Sequence, residues 1–338
     1  MAALNPQRAR ILIGGLIAAG LIFTVLVLAL DEDGRPGFPA GLRLPAETAE
    51  GASWSPDGRW IAIPNRAGVL LRAADGDSVR QLRAPRTPRY KGWIPGRIGW
   101  SSEGKRLRYV TTVGPEESKG SWVTEVPTNG GAVRQVSLGT DVLDADWGSR
   151  GWPLVYVPAA GGIWSLASFG AEPVKLLDRP GREEEPRVSP DGTRILFTLT
   201  PQEQPDELWI ARADGSGARH IGGRFSFLHA SWAPDSRRIA VIGAGARTNG
   251  APWLYVVAAR TGTRRIVRFT AGAAWYPAWT PGGRWITYAL REGQIQKTRP
   301  RGEVVELADF RGELVSNLLW SPDGKKLAYS SVEAPEPP

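Results

Sequence analysis

The chain of 338 residues contains no cysteine, only two histidines and a single methionine. Without cysteine, disulfides have no part in the fold. A hydrolase needs a nucleophile, a base and an orienting group within reach of one another. No Gly-x-Ser-x-Gly elbow is present, and His220 and His229 are most simply structural or surface histidines. These shortages predict a protein that is not an enzyme and has no catalytic residue.

A decapeptide that begins Trp54-Ser55-Pro56-Asp57-Gly58 recurs along the chain with a mean spacing of about 44 residues. Such a period, with short apolar runs, indicates β-propeller blades. In each copy, Pro and Asp suit the middle of a type I turn, and Gly enters the left-handed region after it. The apolar residues on either side predict two antiparallel strands. The seven copies begin at Trp54, Trp100, Trp147, Val188, Trp232, Trp279 and Trp320.

The repeated Trp-Ser-Pro-Asp-Gly motif resembles the WD40-like (PD40) repeat of the TolB-type propeller family. The resemblance covers residues 47–331 and implies a secreted or periplasmic propeller that serves as an interaction platform or as a gate beside a hydrolase. The turn residues carry it, and their role in that family is structural. They are Trp54, Pro56, Asp57, Gly58, Pro190, Asp191, Gly192, Trp320, Pro322, Asp323 and Gly324.

The fold class is therefore predicted as all-β, a propeller of four-stranded blades. Seven blades are favoured, the last of them incomplete, because closing the ring removes exposed sheet edges. Residues 38–46 would supply an outer strand to the last blade. The alternative is six blades with an additional hairpin. Residues 31–46 are interpreted as a linker and 332–338 as a disordered tail.

Residues 11–30 form an uncharged and mostly apolar run, about 30 Å long as a helix, which matches a bilayer core. Arg8 and Arg10 precede it, whereas acidic residues follow at 31–33. The positive-inside rule then places residues 1–10 in the cytoplasm and the propeller outside the membrane. The alternative is a cleaved signal peptide with a small-residue site at 27–29, although the apolar run is long for that role.

The formal net charge of +8 favours anionic partners at the cell surface. The predicted topology separates the propeller from the cytoplasm, so no nucleic-acid partner is expected. One carboxylate per isolated turn is too few for calcium, so neither a metal nor another cofactor is predicted.

Between Asp77 and Glu103 there is no acidic residue, but basic and aromatic residues accumulate. Loops between blades carry further aromatic residues, and loops on a rigid scaffold are where binding sites occur. We therefore expect a basic and aromatic surface for a protein, peptide or anionic envelope polymer. It comprises Arg86, Arg89, Tyr90, Lys91, Trp93, Arg97, Arg224, Phe225, Phe227, Trp275 and Tyr276.

The alternative function is enzymatic. A propeller lyase or hydrolase acting on an anionic glycan would need charged side chains that converge at the channel. Paired carboxylates in a deep polar pocket, or His229 in contact with them, would favour that enzyme.

Overall fold

The computed structural model describes residues 40–44 and 51–333, with gaps at 66–67, 77, 84–95, 114–119, 150, 203, 223–225, 245–251, 270–273, 291–292, 301, 303 and 311–312. Every regular element in this part of the chain is a β-strand. Six sheets have four strands each, and we call them blades one to six. A seventh, which we call the closing sheet, has three.

Each blade is an antiparallel meander whose strands follow chain order. Blade one comprises β2 (Ser53–Trp54), β3 (Trp60–Asn65), β4 (Gly68–Ala73) and β5 (Val79–Arg83). Blade two comprises β6 (Gly99–Trp100), β7 (Arg106–Val113), β8 (Gly120–Pro127) and β9 (Arg134–Ser137). Blade three comprises β10 (Val142–Trp147), β11 (Leu154–Pro158), β12 (Ile163–Leu166) and β13 (Val174–Leu177).

The second half of the ring repeats this order. Blade four comprises β14 (Arg182–Val188), β15 (Arg194–Thr200), β16 (Glu207–Arg212) and β17 (Arg219–His220). Blade five comprises β18 (Ser226–Trp232), β19 (Arg238–Ala244), β20 (Trp253–Ala258) and β21 (Arg264–Phe269). Blade six comprises β22 (Ala274–Trp279), β23 (Ile286–Leu290), β24 (Gln294–Thr298) and β25 (Val304–Asp309).

The closing sheet joins the two ends of the chain. It comprises β26 (Glu313–Trp320), β27 (Lys326–Glu333) and β1 (Ala40–Leu44), with β27 in the middle. Strand β1 pairs with β27 in parallel, from Ala40 opposite Lys326 to Leu44 opposite Ser330. The favoured count of seven blades is therefore corrected to six complete four-stranded blades and a three-stranded closing sheet. The outer strand predicted from residues 38–46 is confirmed, because β1 adds to the last hairpin.

Strand β1 lies within the segment 31–46, at the place where residues 38–46 were expected to form a strand. Strand β27 extends to Glu333, two residues into the expected tail. The predicted membrane segment and the cytoplasmic residues before it lie outside the described residues.

The apolar core lies between neighbouring sheets. Blade one packs Ile61 and Ile63 against Ala328 of the closing sheet, and blade six packs Ala289 and Ile295 against Leu327 and Tyr329 of the same sheet. Comparable clusters fill the five remaining boundaries. The seven sheets therefore form a closed ring. Because both faces of a blade are covered, its second strand is an apolar run, as in the fully buried β11.

Tryptophans at the heads of the repeats hold neighbouring sheets together. The Trp232 indole N–H donates to the Arg187 carbonyl at 3.0 Å, across to the preceding blade. The other indoles do the same: Trp54 to the Leu319 carbonyl, Trp100 to Ser53, Trp147 to the Arg97 carbonyl, Trp279 to the Ser231 carbonyl and Trp320 to the Thr287 hydroxyl. Blade four has Val188 in this place, and there the backbone N–H of Val188 donates to the Asp146 carboxylate at 2.8 Å.

Candidate binding site in the central channel

The first strand of each sheet is the innermost. First strands contact one another between blades three and four, between blades five and six, and from blade six through the closing sheet to blade one. In each repeat, one residue lies three positions before the motif head. It falls on the first strand in five sheets and just before that strand in blades one and two. We call these seven residues the channel column. They are Gly51, Arg97, Asp144, Glu185, His229, Tyr276 and Asn317. Six of the seven have polar side chains, whereas the apolar core lies further out, between the blades.

Arg97 is held in place through its backbone. Its N–H donates to the Ala145 carbonyl at 3.0 Å, and its own carbonyl accepts the Trp147 indole N–H at 2.8 Å. The preceding residue, Gly96, has a φ of 75°, and a Cβ there would overlap the backbone of Ala145. Only glycine allows this close approach. The Arg97 guanidinium is left exposed to solvent.

Blades three and four meet through a charged cluster. Arg187 pairs with Asp144 at 2.9 Å, and both side chains are about one-fifth exposed, at 21%. Asp146 is buried, and burial raises the pKa of its carboxyl despite the nearby Arg97 and Arg187. Burial also opposes the charge of Arg187, but Asp144, Asp146 and Glu185 outweigh it and raise the Arg187 pKa. The Arg187 guanidinium therefore stays charged in a partly desolvated site.

Three residues of the channel column have left-handed backbones: Glu185 with a φ of 48°, Tyr276 with 52° and Asn317 with 54°. Each lies in a β-bulge of its first strand. A non-glycine residue in this conformation costs on the order of 1–3 kcal/mol, and such residues concentrate at functional sites. Bulges redirect side chains, and here a bulge recurs at the same offset from the motif head in three sheets.

Arg97 and Glu185 are accessible to solvent although protein surrounds them. Both side chains are exposed. Burial nevertheless lowers the pKa of Arg97, and it raises the pKa of Glu185 against the pull of Arg187. On a convex surface, an exposed side chain would be fully hydrated, and burial would not shift its pKa. In a narrow channel, water reaches a side chain that is still less hydrated than in bulk solvent, so the exposure and the pKa shifts agree. Both side chains are therefore exposed but only partly solvated.

His229 and Tyr276 continue the column on blades five and six. Their rings stack with centroids 4.3 Å apart, and both residues are half-buried. Burial, with a smaller effect of Arg187, lowers the pKa of His229 to about 4. His229 is therefore neutral at pH 7 and forms a flat aromatic wall with Tyr276.

Of the residues predicted to bind, only Arg97 and Tyr276 have side chains in the described part of the structure, and both belong to the channel column. Arg187 and His229 lie between them in the ring. Phe227 and Trp275 lie on the first strands β18 and β22, but their side chains are outside the description. The remaining predicted residues lie outside the described residues: Arg86, Arg89, Tyr90, Lys91, Trp93, Arg224 and Phe225.

The Ser-Pro-Asp-Gly segments form turns at the other end of the first strands. Asp57 accepts hydrogen bonds from the Ser55 hydroxyl at 2.6 Å and from the Arg59 N–H at 3.0 Å, and Gly58 has a φ of 69°. Asp191 and Asp323 make the same pair of bonds in blade four and the closing sheet. These carboxylates stabilise turns. Within the described residues, no group of three or more acidic or histidine side chains is placed to hold a metal.

The sequence analysis missed Asp144, Asp146, Glu185 and Arg187 as site residues and treated His229 as structural. A signal was available. Aligning the seven repeats on the motif head places one polar residue at the same offset in six copies, where a purely structural strand would alternate apolar residues. The bulges that turn these residues inward have no such signature in a single sequence.

Solved structures show the same architecture at low identity. The chain has 14% identity to TolB from Acinetobacter baumannii, with a TM-score of 0.52 over 83% of this chain and 65% of that one. An oligogalacturonate lyase solved in complex with manganese has 13% identity and a TM-score of 0.64, over 86% of this chain and 89% of the other. The fold is that of a TolB-type, WD40-like β-propeller. At these identities the likeness concerns the fold alone.

Sequence comparison adds one distant relative. The uncharacterized peptidase YuxL of Bacillus subtilis (strain 168) is 27% identical over 159 residues, which is 44% of this chain and 23% of the relative. The match thus spans about a quarter of that protein's length. No family profile matches the chain.

A search of the described residues for helices long and apolar enough to cross a membrane finds none. Residues 11–30 were outside that search, so the anchor stays a prediction.

Proposed function

We propose that the protein is a non-enzymatic binding module of the cell envelope, and that its partner engages the central channel. The observation that carries this proposal is the channel column: Arg97, the Asp144–Arg187 pair, Glu185 and the His229–Tyr276 stack converge from five neighbouring blades. Charged and aromatic groups in a partly desolvated recess provide strong, directional contacts to a ligand. We propose the basic and aromatic loop residues as the rim of the same site.

The partner class is a protein or peptide. Within the described channel, two guanidinium groups face three carboxyls, so the interior is of mixed charge. A uniformly anionic polymer would meet repulsion there, whereas a peptide offers both charges and apolar groups. Interaction platforms with this fold, as the TolB-type resemblance implies, support the same choice.

Position-specific photo-crosslinking in the full chain, expressed in its native membrane, tests the binding site. A photoreactive phenylalanine analogue replaces Tyr276 in the channel or, as a matched control, Val174, which is 58% exposed on the outermost strand of blade three. We expect a discrete adduct from position 276 and background labelling from position 174. Equal labelling at the two positions, or adducts from position 174 alone, would contradict the proposal.

We also propose that residues 11–30 anchor the protein, with the N-terminus in the cytoplasm and the propeller outside. The apolar length and the flanking charges support this topology. Two C-terminal fusions test it: alkaline phosphatase, which folds only outside the cytoplasm, should be active, and β-galactosidase should be inactive. The opposite pattern would refute the topology without affecting the channel.

A second candidate function is a lyase or hydrolase acting on an anionic glycan. The observation that favours it is the proximity of carboxyls and His229 to Arg187 in one channel. A pKa of about 4 makes His229 a weak base at neutral pH, because general bases work best near the operating pH. Incubation of the protein with polygalacturonate tests this second function. New unsaturated or reducing ends, formed by the protein but not by a His229→Ala variant, would establish the enzyme.

A further inference from the structure

Two charged side chains in the channel have no direct partner among the residues that the structure describes. The guanidinium of Arg97 and the carboxylate of Glu185 are both exposed, and neither makes a hydrogen bond or ion pair with a described group. Their neighbours are engaged: Arg187 binds Asp144, Asp146 accepts the Val188 N–H, and Glu184 pairs with Arg182 at 3.0 Å. Among the described residues, the channel therefore has one cation and one anion that are exposed to solvent and unpaired.

The framework keeps these two groups apart. Arg97 is placed by the glycine before it and by the Ala145 carbonyl, whereas Glu185 is placed by its left-handed backbone, with Pro186 next in the chain. Each is close enough to influence the other's ionisation. The two groups have opposite charges and do not pair with each other, so a ligand that carries both charges can contact both of them.

The channel strengthens the contacts that both groups can make to a ligand. Charged hydrogen bonds strengthen where water is partly excluded, because the effective dielectric constant is lower. The neutral His229–Tyr276 stack, on the two blades that follow blade four, offers an apolar surface and adds no competing charge. A ligand that satisfies all three elements has an anionic group, a cationic group and a small apolar part.

We propose that the channel binds a zwitterion, namely a short peptide with a free amine and a free carboxylate. The ligand carboxylate pairs with Arg97, and its ammonium group pairs with Glu185. The apolar side chains pack on the rings of His229 and Tyr276. This inference rests on the proposed function, since it assigns a ligand class to the same channel.

Calorimetric titration of the detergent-solubilised full chain with three probes tests the proposal. The probes are the dipeptide Ala-Ala, its N-acetyl derivative and its C-terminal amide. We expect Ala-Ala to bind at least tenfold more tightly than either blocked form, because each blocked form leaves one channel charge without a partner. Equal affinity of the three probes, or no binding of Ala-Ala at millimolar concentration, would overturn the proposal.

Variants assign each end of the ligand. Arg97→Gln should abolish the preference for Ala-Ala over the amide and retain the preference over the acetylated form. Glu185→Gln should do the reverse. Arg97→Lys should keep both preferences, and Glu184→Gln, one residue away but paired outside the site, is the matched control and should also keep both. Loss of both preferences in the Glu184→Gln variant would contradict the assignment.

The two proposals fail separately. If crosslinking at position 276 captures a partner but Ala-Ala does not bind, then the zwitterion proposal is wrong and the channel function stands. If neither the crosslink nor the dipeptide binding is found, then both are wrong. Thermal unfolding of each variant, unchanged within about 3 °C, shows that a lost preference is not a lost fold.

Discussion

Asp146 compensates for the one motif head that is not a tryptophan. Elsewhere an indole N–H reaches back to the preceding sheet, but at Val188 the backbone N–H itself donates to a buried carboxylate of blade three. The same carboxylate raises the pKa of its neighbour Arg187. One residue therefore links the structural contact between blades three and four to the charges of the channel.

His229 makes stability depend on pH. Its pKa is about 4 in the folded protein, below its ordinary value of 6.5, chiefly because of burial. The unfolded chain therefore binds more protons between these values, and the folded state loses stability as pH falls from about 6.5 to about 4. The loss is on the order of 3 kcal/mol at its full extent. Chemical denaturation at several pH values measures it.

A His229→Phe variant is the control for this pH effect. It keeps an aromatic ring beside Tyr276 but does not titrate, so its free energy of unfolding should change much less between pH 6.5 and pH 4. Equal slopes for the two proteins would show that His229 is not responsible.

At the level of strands, the first strand of each sheet has two roles. In six of the seven sheets the motif head binds the preceding sheet through an indole, and the channel-column residue lies three positions earlier. The bulge separates the two roles, because without it strict alternation would fix both side chains on opposite faces.

Removing one inter-blade indole bond should weaken the ring without changing its shape. Trp232→Phe loses the N–H that donates to the Arg187 carbonyl at 3.0 Å but keeps most of the packing. We expect a loss of about 1 kcal/mol in the free energy of unfolding, the usual net value of one such bond.

The matched control is Trp164→Phe, because that indole reaches only the local Gly161 carbonyl at 3.4 Å. Its cost should stay below about 0.5 kcal/mol, since the bond is long and spans a single turn. Denaturant titration compares the two variants. A larger cost for Trp164→Phe would show that the inter-blade bonds are unimportant.

Most of the strand pattern could be predicted from the sequence, because its causes are local. Pro56 and Gly58 favour one turn type, and an apolar run such as 61–63 predicts a strand covered on both faces. The bulges at Glu185 and Tyr276 could not be predicted, since a residue other than glycine enters the left-handed region only when contacts from neighbouring blades hold it there.

For the whole molecule, closure depends on a strand from the opposite end of the chain. All five residues of β1 pair with β27, which would otherwise have an unpaired edge. A variant that begins at residue 46 lacks β1. Its free energy of unfolding should be lower by about 3 kcal/mol, because several hydrogen bonds of about 0.5–1.5 kcal/mol each are lost. It should also aggregate through the exposed edge of β27.

Truncation to begin at residue 39 keeps β1 and is the control for this prediction. Light scattering and thermal unfolding of the two truncated chains give the comparison. If both chains unfold at the same temperature and stay monomeric, then β1 does not contribute to closure.

The candidate site is a property of the closed ring, which explains why the sequence analysis found only part of it. Arg97 and Tyr276 stood out because they fall in basic or aromatic stretches of the sequence between the repeat motifs. Asp144, Glu185 and His229 are about 40 residues apart in sequence, so nothing in their local surroundings links them. They meet because the ring brings the same offset of every repeat to a common axis.

The central claim is that the channel column serves binding and the motif turns serve folding. Two parallel sets of alanine variants test it most directly: one at Arg97, Asp144, Glu185 and His229, and one at the turn residues Asp57, Asp191 and Asp323. The crosslinking yield from position 276 and the thermal unfolding temperature are measured for each variant. We predict that the column variants lose most of the crosslinked product and unfold within a few degrees of the parent, and that the turn variants unfold earlier but crosslink normally. Loss of crosslinking in the turn variants, with full crosslinking in the column variants, would contradict the account.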